Sequence, residues 1–128
     1  MLNSKRYKKI LKTQQILKSA AQIKLKSDQI LKVQLTEKKE ELLEFLNNPQ
    51  KLKIINENWL LQSISRTYTQ EKQLDIILDK KKRDFLIAEK RVEISRDKYK
   101  QARKDEEEQQ AVLALEEGLY ATLSKETK

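Results

Sequence analysis

Carboxylates, amines and a few hydroxyls are the side chains here that could do chemistry, because the 128 residues include no His and no Cys. The densest acidic run is Asp105-Glu106-Glu107-Glu108 and the densest basic run is Lys80-Lys81-Lys82-Arg83. Acid–base work by a carboxylate needs a desolvated pocket and a second group that shifts its pKa. Glu106, Glu107 and Glu108 are adjacent on a helical stretch, so they point in different directions, and no pocket is implied around them. Without His and Cys, structural zinc, His- or Cys-ligated haem and thiol chemistry are excluded. With one glycine, Gly118, there is neither a dinucleotide fingerprint nor a P-loop. No enzyme activity and no cofactor are expected, and no disulfide marks an oxidising compartment.

Charge is the other chemical feature. Residues 1–36 hold nine Lys/Arg (Lys5, Arg6, Lys8, Lys9, Lys12, Lys18, Lys24, Lys26, Lys32) against Asp28 alone, which accounts for the whole formal excess of +8. Lys5, Lys8, Lys9 and Lys12 either form a patch for an acidic partner or serve as a solvated helix face. In the run at 80–83, flanking Asp79 and Asp84 cancel much of the field. Nucleic acid is not an expected partner, since a basic stripe with free aromatics is missing. The longest apolar run is Ala111-Val112-Leu113-Ala114-Leu115. That is far short of the roughly 20 residues that span a bilayer. The basic opening, Met1 to Lys9, has no apolar stretch behind it and does not resemble a secretory signal. A cytoplasmic location is expected. A basic amphipathic helix over residues 5–32 could lie on an anionic membrane, but its face has no Trp or Phe.

These residues must be carried by helices. One Gly and one Pro in 128 residues leave few turns, and the only dense turn signal is Asn47-Asn48-Pro49. An all-α fold follows: a long antiparallel two-helix coiled-coil hairpin in one domain, residues 1–128. The boundaries are a helix over about 4–46, a turn at about 47–50 and a longer helix over about 51–124. Asn47 suits a left-handed helix end, Asn48 an N-cap and Pro49 the first helical position. A looser version leaves 47–57 irregular and starts the second helix at Asn56 or Asn58.

On the first helix a heptad seam fits Tyr7, Ile10, Gln14, Leu17, Ala21, Lys24, Asp28, Leu31, Leu35, Lys38, Leu42 and Phe45, with eight of twelve apolar. On the second, one position recurs as Ile64, Glu71, Leu78, Phe85, Val92, Tyr99, Glu106, Leu113 and Tyr120, with seven of nine apolar. A 3.6-residue pattern would drift out of phase over that distance. The companion position runs Thr67, Leu74, Lys81, Ala88, Ser95, Ala102, Gln109, Glu116 and Leu123. A tight turn would pair residues 3–46 with about 52–95 and leave 96–126 as an extension. Tyr99, Leu113 and Tyr120 would then seek a partner.

Two further features are candidates for binding. Ile16, Ile23 and Ile30 recur every seven residues off the seam, so they form either a docking stripe or scattered surface apolars. Trp59-Leu60-Leu61 follows the turn, as a plug against Phe45 and Leu46 or as an exposed hot spot at Trp59.

A basic opening with an aromatic and paired aliphatics (Arg6-Tyr7, Ile10-Leu11, Ile16-Leu17), one antiparallel hairpin and a helical extension resemble the FliJ family of flagellar type III export. Injectisome counterparts are called YscO or SctO. The likeness is one of architecture and pattern over most of the chain. It implies a stalk seated in the pore of a hexameric export ATPase, stimulating it and contacting the export gate and export chaperones at the cytoplasmic face of the inner membrane. The paired ends, 3–30 and 85–126, would enter the ring, and the tip from Phe45 to Ile64 would face the gate. A coiled-coil adaptor or scaffold, a helical export chaperone, or a stalk subunit of another rotary ATPase fits the same residues.

Overall fold

The computed structural model describes residues 2–53 and 56–126. Its elements are α1 (Leu2–Asn47), α2 (Pro49–Leu52) and α3 (Glu57–Glu126). The fold is all-α, and α3, with 70 residues, is longer than α1, with 46. Both long helices are rich in Leu, Lys, Gln and Glu, which lose little side-chain freedom in a helix.

Pro49 ends α1. A residue before proline is driven out of the α region, and Asn48 is extended at φ −107° and ψ 104°. The Asn48 Oδ1 accepts from the Gln50 amide at 3.1 Å and the Lys51 amide at 3.4 Å, which starts α2 with Pro49 at its head. The expected left-handed Asn47 is not found: it is helical, and among the described residues none has a positive φ. The steric demand of Pro49 is sufficient to stop the helix. α2 lasts four residues. Asn56 then caps α3, its Oδ1 accepting from the Asn58 amide at 2.9 Å and the Trp59 amide at 3.3 Å. The second long helix therefore starts at Glu57 instead of about 51, in line with the looser version of the turn. Ile54 and Ile55 lie outside the described residues.

Contacts divide the chain into two compact units, Met1–Lys18 with Ala88–Lys128, and Ser19–Ile87. In the second unit α1 and α3 run antiparallel. Lys39 faces Glu71, Lys32 faces Asp75 and Asp28 faces Lys81, so partner numbers on α3 rise as those on α1 fall. Leu42, Leu60, Leu74 and Leu78 are buried, together with Thr67. The Thr67 hydroxyl donates to the Ser63 carbonyl at 2.8 Å, one turn back, so its burial leaves no orphan donor. In the first unit Val92, Ser95 and Ala102 are buried. The small side chains of Ser95 and Ala102 permit close helix approach.

The α3 seam lies where the heptads put it, from Leu60 to Glu106. On α1 one seam position holds, at Tyr7, Gln14, Ala21, Asp28, Leu35 and Leu42, all buried or half-buried. The companion differs. It is Ser4, Leu11, Lys18, Leu25, Lys32, Lys39 and Leu46, while Ile10, Leu17, Lys24, Leu31 and Lys38 are exposed. Counting apolar residues favoured the wrong choice because three seam positions are lysines. Lys32 and Lys39 place their charges against Asp75 and Glu71, and their long stems cover apolar surface. Hydrogen bonding to these carboxylates raises both lysines above the ordinary 10.5.

Candidate partner-binding surfaces

In the first unit the seam ends where the Ser4 amide donates to Glu106 Oε1 at 3.0 Å. This corrects the expected register: 96–106 is not an overhang, since Tyr99 and Glu106 are half-buried and Ala102 is buried. α3 starts at Glu57, beyond the expected turn at about 47–50, so in the first unit Ser4 meets Glu106 and not a residue near 95. Only from Glu107 to Lys125 is α3 exposed on every described side chain.

That arm is strongly apolar. Val112, Leu113, Leu115, Leu119 and Tyr120 are all more than half exposed, Tyr120 most at 78%. A methyl group added at Gly118 would meet nothing within 4 Å, so this glycine serves no close approach. Burying such side chains is worth about 1.5–3 kcal/mol each, a large reward left for a partner.

The contact that closes the seam is sensitive to acid. Hydrogen bonds from Ser4 to the Glu106 carboxylate hold its pKa at about 2, against an ordinary 4.5. A folded value below the unfolded one means the contribution is complete above about pH 4.5 and fades as pH falls toward 2. The Ser4 amide resonance should therefore titrate with a midpoint near 2 and lose that titration in Glu106→Gln. A midpoint at the ordinary carboxylate value would show that the contact does not form in solution.

Lys5, Lys8, Lys9 and Lys12 are all exposed on α1 in the first unit. Ile16 belongs to the same unit, while Ile23 and Ile30 belong to the second. All three are about two-thirds exposed, off the seam as their spacing predicts. Tyr99 is different: half-buried in the seam, it borders a shallow groove with Leu11, Arg96 and Arg103. Leu113 and Tyr120 lie on the exposed arm. At the start of α3 the three residues after the turn divide. Leu60 is fully buried, whereas Trp59 and Leu61 are about half exposed, so the plug is Leu60 and not the tryptophan. The cap at Asn56 fixes the first turn of α3, and a helix cannot bury three successive side chains on one side.

Counting apolar heptads missed the paired charges. Asp28, Glu71 and Lys81 stood in the seam as weak polar positions, and each is answered by an opposite charge. Lys39 also lies over the Tyr68 ring, 4.9 Å from its centroid. The lysine-rich run is split the same way, since Lys81 pairs with Asp28 while Lys80, Lys82 and Arg83 are exposed. Ile76 and Leu86 on α3 are exposed too, and neither has an apolar residue seven positions away that a heptad count could find.

Among the described residues, no three acidic, His or Cys side chains gather as metal ligands. No helix among them is long and apolar enough to cross a membrane. No family model, curated protein or solved structure matches this chain.

Proposed function

We propose that the chain is a long antiparallel coiled-coil hairpin acting as a non-enzymatic central stalk of a type III protein export apparatus. In this proposal it inserts in a hexameric export ATPase, stimulates hydrolysis and couples the ring to the membrane export gate from the cytoplasmic side. The observation that carries the proposal is the unequal end of the first unit. The seam stops at Ser4 and Glu106, and α3 continues for about one-quarter of its length as an exposed, apolar helix. A stalk needs a stiff paired body and an under-filled end that the ring completes. The basic α1 surface with Lys5, Lys8, Lys9 and Lys12 supplies charged contacts of the kind that let a rod turn without sticking.

The test is ATP hydrolysis by the purified export ATPase of the same cell, with and without this chain. Stimulation is expected, and reversing Lys5, Lys8, Lys9 and Lys12 to Glu should reduce it at least tenfold. The remaining stimulation should lose its sensitivity to salt, because screening acts on the charges removed. Hydrolysis indifferent to the chain would discard the stalk. The exposed Ile16, Ile23 and Ile30 favour a second assignment, a coiled-coil adaptor or export chaperone that holds a helical partner on α1.

A further inference from the structure

Two exposed faces of this chain share one pattern with opposite charge. On α1 in the second unit, Ile23 and Ile30 are 68% and 60% exposed, one heptad apart, with exposed Lys26 between them. Val33 extends the row, and a shallow groove runs along it, lined by Lys26, Gln29, Ile30, Val33 and Gln34 with Glu37 beyond them. On α3 in the first unit, Val112 and Leu119 are one heptad apart, as are Leu113 and Tyr120, with exposed Glu116 among all four. A groove there is lined by Glu108, Gln109, Val112, Leu113 and Glu116. Residues 105–124 contain six acids and no base, whereas residues 23–33 hold Lys24, Lys26 and Lys32 against Asp28.

We propose that the α3 arm of one copy docks on the Ile23–Val33 face of α1 in a second copy. Glu116 lies against Lys26, and the apolar pairs of the arm meet Ile23 and Ile30. The two heptads match in length, about 10.5 Å at the helical rise, so one charge pair and both apolar pairs engage together. The contact is between unlike faces, so it extends or closes according to geometry and is not confined to a seam dimer. A few side chains on each face put it at the small end of specific interfaces, with dissociation constants of roughly micromolar to millimolar. The idea does not depend on the stalk assignment, since it concerns the free chain alone.

Sedimentation equilibrium of the full chain at low salt tests it. The mean mass should rise above the monomer with concentration and fall back as salt is added. Glu116→Lys and Lys26→Glu should each weaken association about tenfold, and an equimolar mixture of the two variants should restore it. Leu119→Ser should abolish it. All three positions are exposed, and an unchanged circular dichroism spectrum will show that folding is intact. A chain monomeric at every concentration overturns the proposal. So does association that survives the substitutions, or a mixture that fails to associate.

Discussion

Replacing Leu60 by Ala should cost about 2–5 kcal/mol of stability, the range for deleting a fully buried leucine side chain. Leu60 is the one large aliphatic side chain with no exposed surface among the described residues. It stands on the first turn of α3, directly after the Asn56 cap, its amide donating to the Asn56 carbonyl at 3.0 Å. The backbone there is already held, so little relaxation into the cavity is available, and the cost belongs in the upper half of that range. Trp59→Ala, one residue earlier and about half exposed, should change stability by less than about 0.5 kcal/mol. Urea unfolding of the two variants at unchanged slope measures both. Equal costs would mean that the tryptophan shares the buried cluster and that the division of roles at the turn is wrong.

Most of α3 was legible because its signal is long. Ile64, Leu78, Phe85, Val92 and Tyr99 repeat one position over enough heptads to exclude a straight 3.6-residue pattern, and each is buried or half-buried. α1 was half legible for a physical reason. From Tyr7 the companion position can lie three or four residues on, and apolarity alone chooses Ile10 and Leu17. The folded chain chooses Leu11 and Lys18, because positions 32 and 39 in that frame meet Asp75 and Glu71 across the helix pair. Ion pairing between distant segments leaves no local trace, so a count along one helix cannot see it. The reversal failed in the same way: Asn48-Pro49 announces a stop, and Asn56 announces a second start that the tight-turn reading passed over. That slip moved the end of the paired seam from about residue 95 to Glu106. Lys5 to Lys12, Ile16, Ile23 and Ile30 were legible as exposed positions, but exposure names no partner. The tight turn places Tyr99 on an overhang, whereas it is a half-buried seam residue.

Removing residues 107–128 should separate folding from function. The arm from Glu107 to Lys125 contributes no buried side chain, so both cores persist without it. Stability to urea should change by less than about 0.5 kcal/mol, as for surface changes away from any packed feature. If the chain is the proposed stalk, its stimulation of an export ATPase should disappear, because the truncation removes the large apolar residues that a ring could enclose. The helical signal offers a further check. An arm that buries no described side chain gains little from packing, and Gly118 lowers its helix propensity by about 1 kcal/mol relative to Ala. If the arm is helical only through its own hydrogen bonds, the ellipticity lost on truncation should shrink on mild warming while that of the truncated chain stays constant. Full stimulation by the truncated chain would transfer the contact to the lysine face of α1, and unfolding on truncation would mean that the arm packs in solution. Each outcome assigns the exposed apolar surface of α3 a different physical role, which makes this deletion more decisive than any single substitution on α1.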